Sequence, residues 1–308
     1  MSETFMAMDT VMEITAYGAD SSLMEAAKGR IKELEGLFSV TDENSEIYDL
    51  NQTGSAELSP DTLTLVTKAL DICRETDGAV DITIYPVVKA WGFTTGNYRI
   101  PDSDELKNLL ENVRYEDVAI SGNIVTIPQG TQVDLGSVAK GYTGDVISVL
   151  LKDGGVTSAL LDLGGNIQAV GSRPDGSAWR VAVQNPKGEG YVGVLSVSDK
   201  AVITSGGYER YFEDDNGNTY WHILDPKTGS PAQNGLISVT IVGDEGVVCD
   251  GLSTALFVIG LDKASALWRE QGGFEAVLVS EDGRVYITEG LEDCFEPELG
   301  IGLSVIEH

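Results

Sequence analysis

Cysteine is scarce in this 308-residue chain: Cys73, Cys249 and Cys294 are the three, and none has CxxC spacing. That usage fits neither a disulfide framework nor a thiolate zinc site, and the three read as small apolar residues. Aromatic side chains make up only 7%, too few for a bulky aromatic core, whereas 36 glycines imply many short elements joined by tight turns. Basic residues number 20 against 49 acidic ones, a formal net charge of −29, and no Lys/Arg run interrupts the acidity. This balance argues against a nucleic-acid partner. A polyanionic ligand would meet a repelling field, so local donors and a bound cation would have to hold it. Long apolar runs are also missing: nothing approaches the ~20 residues of a membrane span. Residues 1–10 show no basic segment leading into an apolar one.

What is present suffices for a folded domain, since 42% of residues are hydrophobic. Residues 5–17 alternate, with Met6, Met8, Thr10, Met12 and Ile14 on one side, and predict a strand. Ser22 and Glu25 fit a capping box for a helix reaching Ser39, buried along Leu23, Ala27, Ile31, Leu34 and Phe38. A second helix opens at Ser59-Pro60 and buries Leu63, Val66, Leu70 and Cys73. Further helices are predicted over 103–113, 141–151, 247–259 and 262–271. Two strands joined at Gly122-Asn123 fit 118–127, and β structure dominates 158–242 and 274–288. Without regular βαβ alternation the fold class is α+β, antiparallel β-sheets flanked by helices. The chain from 5 to 308 reads as one domain, with a weak boundary near 128–133, where Pro128-Gln129-Gly130 breaks the pattern.

Three segments carry candidate chemistry. Residues 133–145 join a strand to a helix through small residues and place Lys140 near the helix start, where free N–H groups and a cation suit a phosphate. A tight turn with a solvated lysine accounts for the same residues. Asp250 and Thr254 lie four apart on one face of the 247–259 helix. A carboxylate and a hydroxyl on one patch make a hard oxygen site for Mg²⁺, which takes its remaining ligands from substrate phosphates. A first-turn acid favoured by the helix dipole and a satisfied core hydroxyl are the alternative. Residues 204–210 and 220–231 are the densest polar constellations. The second holds His222, the only histidine besides His308, followed by a loop stiffened by Pro226, Gly229 and Pro231. A lone histidine there is a structural hydrogen-bonder or a base.

Met8-Asp9-Thr10, residues 78–83, Trp91-Gly92-Phe93, residues 134–145, Leu163-Gly164-Gly165-Asn166, Thr204-Ser205-Gly206, residues 222–229 and residues 250–255 occur in one order. In that order the chain resembles the ApbE-type FAD:protein FMN transferases from about residue 5 to 260. The resemblance implies two lobes with a flavin cleft between them, an ApbE-like or T-fold-like arrangement. It implies FAD as substrate and Mg²⁺ held by Asp250, Thr254 and the Ser137 carbonyl. A threonine hydroxyl of an acceptor protein would attack the flavin-side phosphorus, releasing AMP. On this reading His222 is the base, Lys140 stabilises charge, and Asp225 orients the loop or His222. Flavin contacts come from Ser39, Thr41, Trp91, Gly92, Phe93, Tyr142 and Asp145, and Thr204, Ser205 and Gly206 join the binding set. Two positions depart from the pattern: Thr41 replaces an expected aromatic, and Asn166 stands where an acid is common, in what reads as a turn.

An FAD pyrophosphatase giving free FMN and AMP needs the same residues, and a flavin-binding protein without turnover is the alternative from another class. By resemblance, the acceptor is a membrane or exported redox protein. The native enzyme is likewise expected to be exported and anchored as a lipoprotein, its signal segment absent from this sequence.

Overall fold

A computed structural model describes residues 1–308. The elements run β1 (Ser2–Ala7), β2 (Thr10–Tyr17), α1 (Ser21–Phe38), α2 (Glu46–Thr53), β3 (Ser55–Glu57), α3 (Pro60–Glu75), α4 (Tyr85–Trp91) and α5 (Ser103–Leu110). After them come β4 (Ala119–Ser121), β5 (Ile124–Thr126), α6 (Ala139–Asp153), β6 (Ser158–Asp162), β7 (Asn166–Val170), β8 (Trp179–Gln184), β9 (Tyr191–Val197) and β10 (Ala201–Gly206). The rest are β11 (Tyr211–Glu213), β12 (Thr219–Trp221), β13 (Leu236–Gly243), α7 (Gly246–Ile259), α8 (Leu261–Gln271), β14 (Glu275–Ser280), β15 (Val285–Thr288), β16 (Phe295–Pro297) and β17 (Leu303–Ile306).

Nine strands form one sheet in the order β1-β2-β6-β7-β10-β13-β14-β15-β17, antiparallel throughout except where β15 meets β17. Alternation along the central strands sorts its two faces. Ala201 and Ile203 of β10, with Val239 and Ile241 of β13, join the main core beneath α3 and α7, whereas Val202 and Val242 point the other way. There they meet Trp179, Val181 and Leu195 of the three-stranded sheet β16-β9-β8. Helices thus cover one face and a small sheet the other, the predicted α+β class. Val125, Ile127, Val133 and Leu135 all lie in the main core, which therefore spans residues 128–133.

Several predicted elements need correction. The 5–17 strand is a hairpin, because Met8 and Asp9 both take positive φ (+48° and +59°) and turn the chain tightly, with Ala7 pairing Thr10. A two-residue turn hides within the alternation but flips the faces: Met12 and Ile14 are buried, whereas Met6 is 63% exposed. Helix α1 is capped not by a Ser22–Glu25 box but by Asp20, whose carboxylate accepts from Leu23 N–H at 2.9 Å and from the Ser22 hydroxyl at 2.7 Å. Helix α6 starts two residues before Gly141, which puts Lys140 in its first turn. Helices α2 and α4 are too short for their periodicity to register.

Candidate functional site

Helices α6 and α7 cross on glycines, and the candidate site is built at that crossing. A Cβ on Gly141 would sit 2.2 Å from the Gly246 carbonyl oxygen and 2.8 Å from Asp250 Cβ, and one on Gly246 would sit 2.5 Å from the Gly141 oxygen. The close approach lets each helix supply an acid to the other's first amides. Asp145 of α6 accepts from Gly246 N–H (2.7 Å) and Val247 N–H (2.9 Å), capping α7. Asp250 of α7 accepts from Gly141 N–H at 2.8 Å. In a regular helix that N–H would go to the Ser137 carbonyl, which instead accepts no hydrogen bond from the protein.

Asp250 is 5% exposed, and no lysine or arginine comes within ion-pair distance of it. Burial pushes its carboxyl up to about 6, against the pull of the Lys140 charge and the Gly141 amide. It stands in the second turn of α7 and bonds across to α6, so stabilisation by its own helix dipole does not explain it. One turn on, Thr254 Oγ1 lies 3.2 Å from Ser205 Oγ, which is also 2.8 Å from Ser253 Oγ. A buried carboxylate short of countercharge, a threonine hydroxyl and a free carbonyl form an all-oxygen donor set, which fits a hard cation such as Mg²⁺.

The facing wall runs from the end of β10 through residues 207–210 to His222. The Arg210 carbonyl accepts from His222 N–H at 3.0 Å and lies 3.1 Å from His222 Nδ1. Since a carbonyl only accepts, the proton belongs on Nδ1, leaving Nε2 an open acceptor. Burial, with the positive charges of Arg210 and Lys140, pushes the ring down to about 4, and Phe93 meets it edge-on at 6.4 Å. An NMR titration of the imidazole is expected to place the His222 midpoint near 4; a midpoint at the ordinary 6.5 would show a solvated ring. Between those values the unfolded chain takes the proton and the folded one refuses it. The stability that neutral His222 contributes is complete above 6.5 and is lost as pH falls through 4.

Glu209, Arg210, Asp134 and Asn166, which sequence reasoning left without an individual role, belong to this neighbourhood. Glu209 sits beside Lys140 with its side chain exposed, so the upward push that partial desolvation gives its carboxyl is tempered by solvent. Burial also raises Asp134, offset by its bond from Gly136 N–H (2.7 Å) and by the charge of Arg210. Asn166 is no turn residue: it opens β7, is buried, and leaves Nδ2 without a geometrically sound partner, although its nearness to Asp250 lowers that acid. The adjacent Glu209-Arg210 pair just past the end of β10 was the available signal for the wall. A cavity of about 540 Å³ lined by Asn51, Lys89, Arg99 and Gln132 shares no residue with this cluster.

Other predicted site residues are used elsewhere. Trp91 is 2% exposed and donates from Nε1 to the Gly229 carbonyl at 2.7 Å; with buried Phe93 it props the 225–231 loop from beneath and offers no open flavin wall. Gly92 takes φ +83° beside the Asn97 backbone. Tyr142 is buried edge-on to Phe38, and its hydroxyl donates to Asp61 at 3.0 Å. Asp145 engages each carboxylate oxygen with one of the first amides of α7 and so serves as that helix's cap. Asp225 accepts from Lys227 N–H at 2.8 Å and shapes its own loop, with no bond to His222. Thr204 pairs with Thr240 at 2.8 Å, and Gly206 leaves room for the Tyr208 ring. Ser39 Oγ accepts from the amides of exposed Thr41 (3.2 Å) and Asp42 (3.0 Å), forming a polar turn after α1.

The fold and this cluster together define an α+β protein with a buried acid and a lysine at a helix start, suited to a polyanion and its cation. The sequence model of the ApbE family matches residues 8–278, and the chain belongs to that family. It is 36% identical to the FAD:protein FMN transferase of Treponema pallidum, over 85% of this chain and 78% of that one. It is 34% identical to the enzyme so named from Vibrio cholerae, over 81% and 77%. Among solved structures, the ApbE protein of Thermotoga maritima superposes with a TM-score of 0.90 at 31% identity, covering 97% of this chain and 99% of that one. The apo flavinyl transferase ApbE of Pseudomonas stutzeri gives 0.87 at 28%, covering 97% and 98%.

Proposed function

We propose that this chain transfers FMN from FAD to a threonine hydroxyl of another protein and releases AMP, using Mg²⁺ held by Asp250, Thr254 and the Ser137 carbonyl. The observation that carries the reading is the Asp250 carboxylate, buried at the start of α6 beside a free carbonyl and one turn from Thr254. The activity named for the relatives supports it. Mg²⁺, when bound, supplies charge neutralisation at the phosphates.

The chain's own groups do the rest. Lys140 holds the pyrophosphate with its ammonium and its own N–H, the one first-turn amide of α6 with no partner in the protein. His222, neutral and with Nε2 open, takes the proton of the incoming hydroxyl. The hydroxyl oxygen forms a bond to the flavin-side phosphorus as the bond from that phosphorus to the bridging oxygen breaks, and AMP carries that oxygen away. Positioning and charge stabilisation dominate such a transfer. Asp225 and the Trp91–Gly229 bond keep the loop after His222 in place. No helix of the structure is long and apolar enough to cross a membrane. We assign the acceptor to membrane or exported redox proteins and the working enzyme to an exported, lipid-anchored form, on the family resemblance; fractionation of native cells tests the location.

Wild-type protein incubated with FAD, Mg²⁺ and short peptides, each carrying one threonine between randomised flanks, is expected to add an FMN mass to some peptides with one AMP released per addition. EDTA should stop both. AMP and free FMN without modified peptide would identify a hydrolase instead, and no AMP at all would leave a flavin-binding protein.

A further inference from the structure

The β11–β12 hairpin is a sheet of two strands that pairs with no other strand. Its hydrogen-bonded pairs are Arg210 with His222, Phe212 with Tyr220, and Asp214 with Asn218; the outer two are fixed by His222 N–H to Arg210 O and Asp214 N–H to Asn218 O, each 3.0 Å. Antiparallel alternation turns the N–H and C=O of Tyr211 and Glu213 outward. None of those four groups has a partner in the protein.

The two edges of the hairpin differ. On the β12 side Trp221 is packed edge-on to Phe257 at 5.8 Å and lies against Gly207. On the β11 side Tyr211 is 47% exposed, and although the strand is only three residues long and carries the charge of Glu213, no lysine, proline or bulge closes the edge. Yet β11 is held firmly: Phe212 stacks between Tyr98 (5.1 Å, 10°) and Tyr220 (5.2 Å, 20°). The base of this rigid open edge is the Arg210–His222 pair, where the hydroxyl must arrive.

We propose that an extended segment of the acceptor protein adds to β11 as a third strand, bonding to the backbone of Tyr211 and Glu213 and continuing past Arg210 so that its threonine reaches His222. The proposal rests on the transferase reading. Main-chain pairing supplies affinity in this mode, and side chains at alternate positions supply selectivity. Hydrolysis by water makes no use of the edge, so the two activities respond to it separately.

Threonine peptides that wild type modifies are the probe. Each is remade with single backbone N-methyl groups along its flank. The expected result is period two: at alternate positions methylation raises KM at least about tenfold, the worth of one lost hydrogen bond with its register. Hydrogen exchange at the Tyr211 and Glu213 amides should slow when the peptide is added. Glu213→Pro deletes an N–H that the hairpin does not use, at a site whose preceding residue is already in a strand. It should raise peptide KM while AMP release without peptide stays at the wild-type rate. Modified peptides with no alternate-position effect and unprotected amides would overturn the docking while leaving the transferase reading intact. Absence of any modified peptide with wild type would overturn both.

Discussion

Asp250→Ala is expected to lower Mg²⁺-dependent AMP release from FAD about 10³-fold, the loss of about 4 kcal/mol of transition-state stabilisation. The chemical reason is that Asp250 is the one carboxylate in the all-oxygen set, and the Ser137 carbonyl and Thr254 hydroxyl are neutral. Asp250→Asn separates charge from architecture, because an amide oxygen still accepts from Gly141 N–H and the α6–α7 bond survives. Both variants should lose activity, but Asn should keep a melting temperature close to wild type. AMP is followed by chromatography across a Mg²⁺ titration, and the fold by thermal melting. An Asn variant that is fully active at the wild-type Mg²⁺ midpoint would remove Asp250 from the metal site.

A large loss of stability is expected from Gly141→Ala. Its Cβ would fall 2.2 Å from the Gly246 oxygen, a backbone atom inside a packed helix crossing that cannot swing aside as a side-chain end can. Overpacking in such a place costs about 1–3 kcal/mol, and separating the helices also strains the Gly141–Asp250 bond. Gly144→Ala is the control: its Cβ would meet nothing closer than 3.5 Å, and alanine is the better helix former by roughly 0.5–1 kcal/mol. Urea unfolding should therefore show opposite signs for two alanines one turn apart on α6. Equal midpoints would refute the crossing as described.

The same contrast shows what the sequence could convey. Spacing placed Asp250 and Thr254 on one helix face because helical period is a local property, and the α1 and α3 stripes were legible for the same reason. Asp145 and Asp250 each serve the other's helix, a relation between residues over a hundred positions apart that no local period encodes. The family resemblance carried flavin contacts to Trp91 and Phe93, but only packing reveals that both are buried under the 225–231 loop. The hairpin at Met8-Asp9 escaped notice because a two-residue turn preserves alternation while reversing direction. Glu209 and Arg210 fell within the polar constellation 204–210 but received no role of their own, because their place in the site depends on where β10 ends.

The mutual capping of α6 and α7 also bears on how the protein breathes. Fraying of either helix start strips hydrogen bonds from the other, so the amides of Gly141, Gly246 and Val247 open in one cooperative event. The site then has no partly melted state in which a loosened acid holds a cation weakly. A cation bound at the crossing, as proposed, would tighten both helices at once, so that its affinity and the unfolding of the helix pair would report one equilibrium.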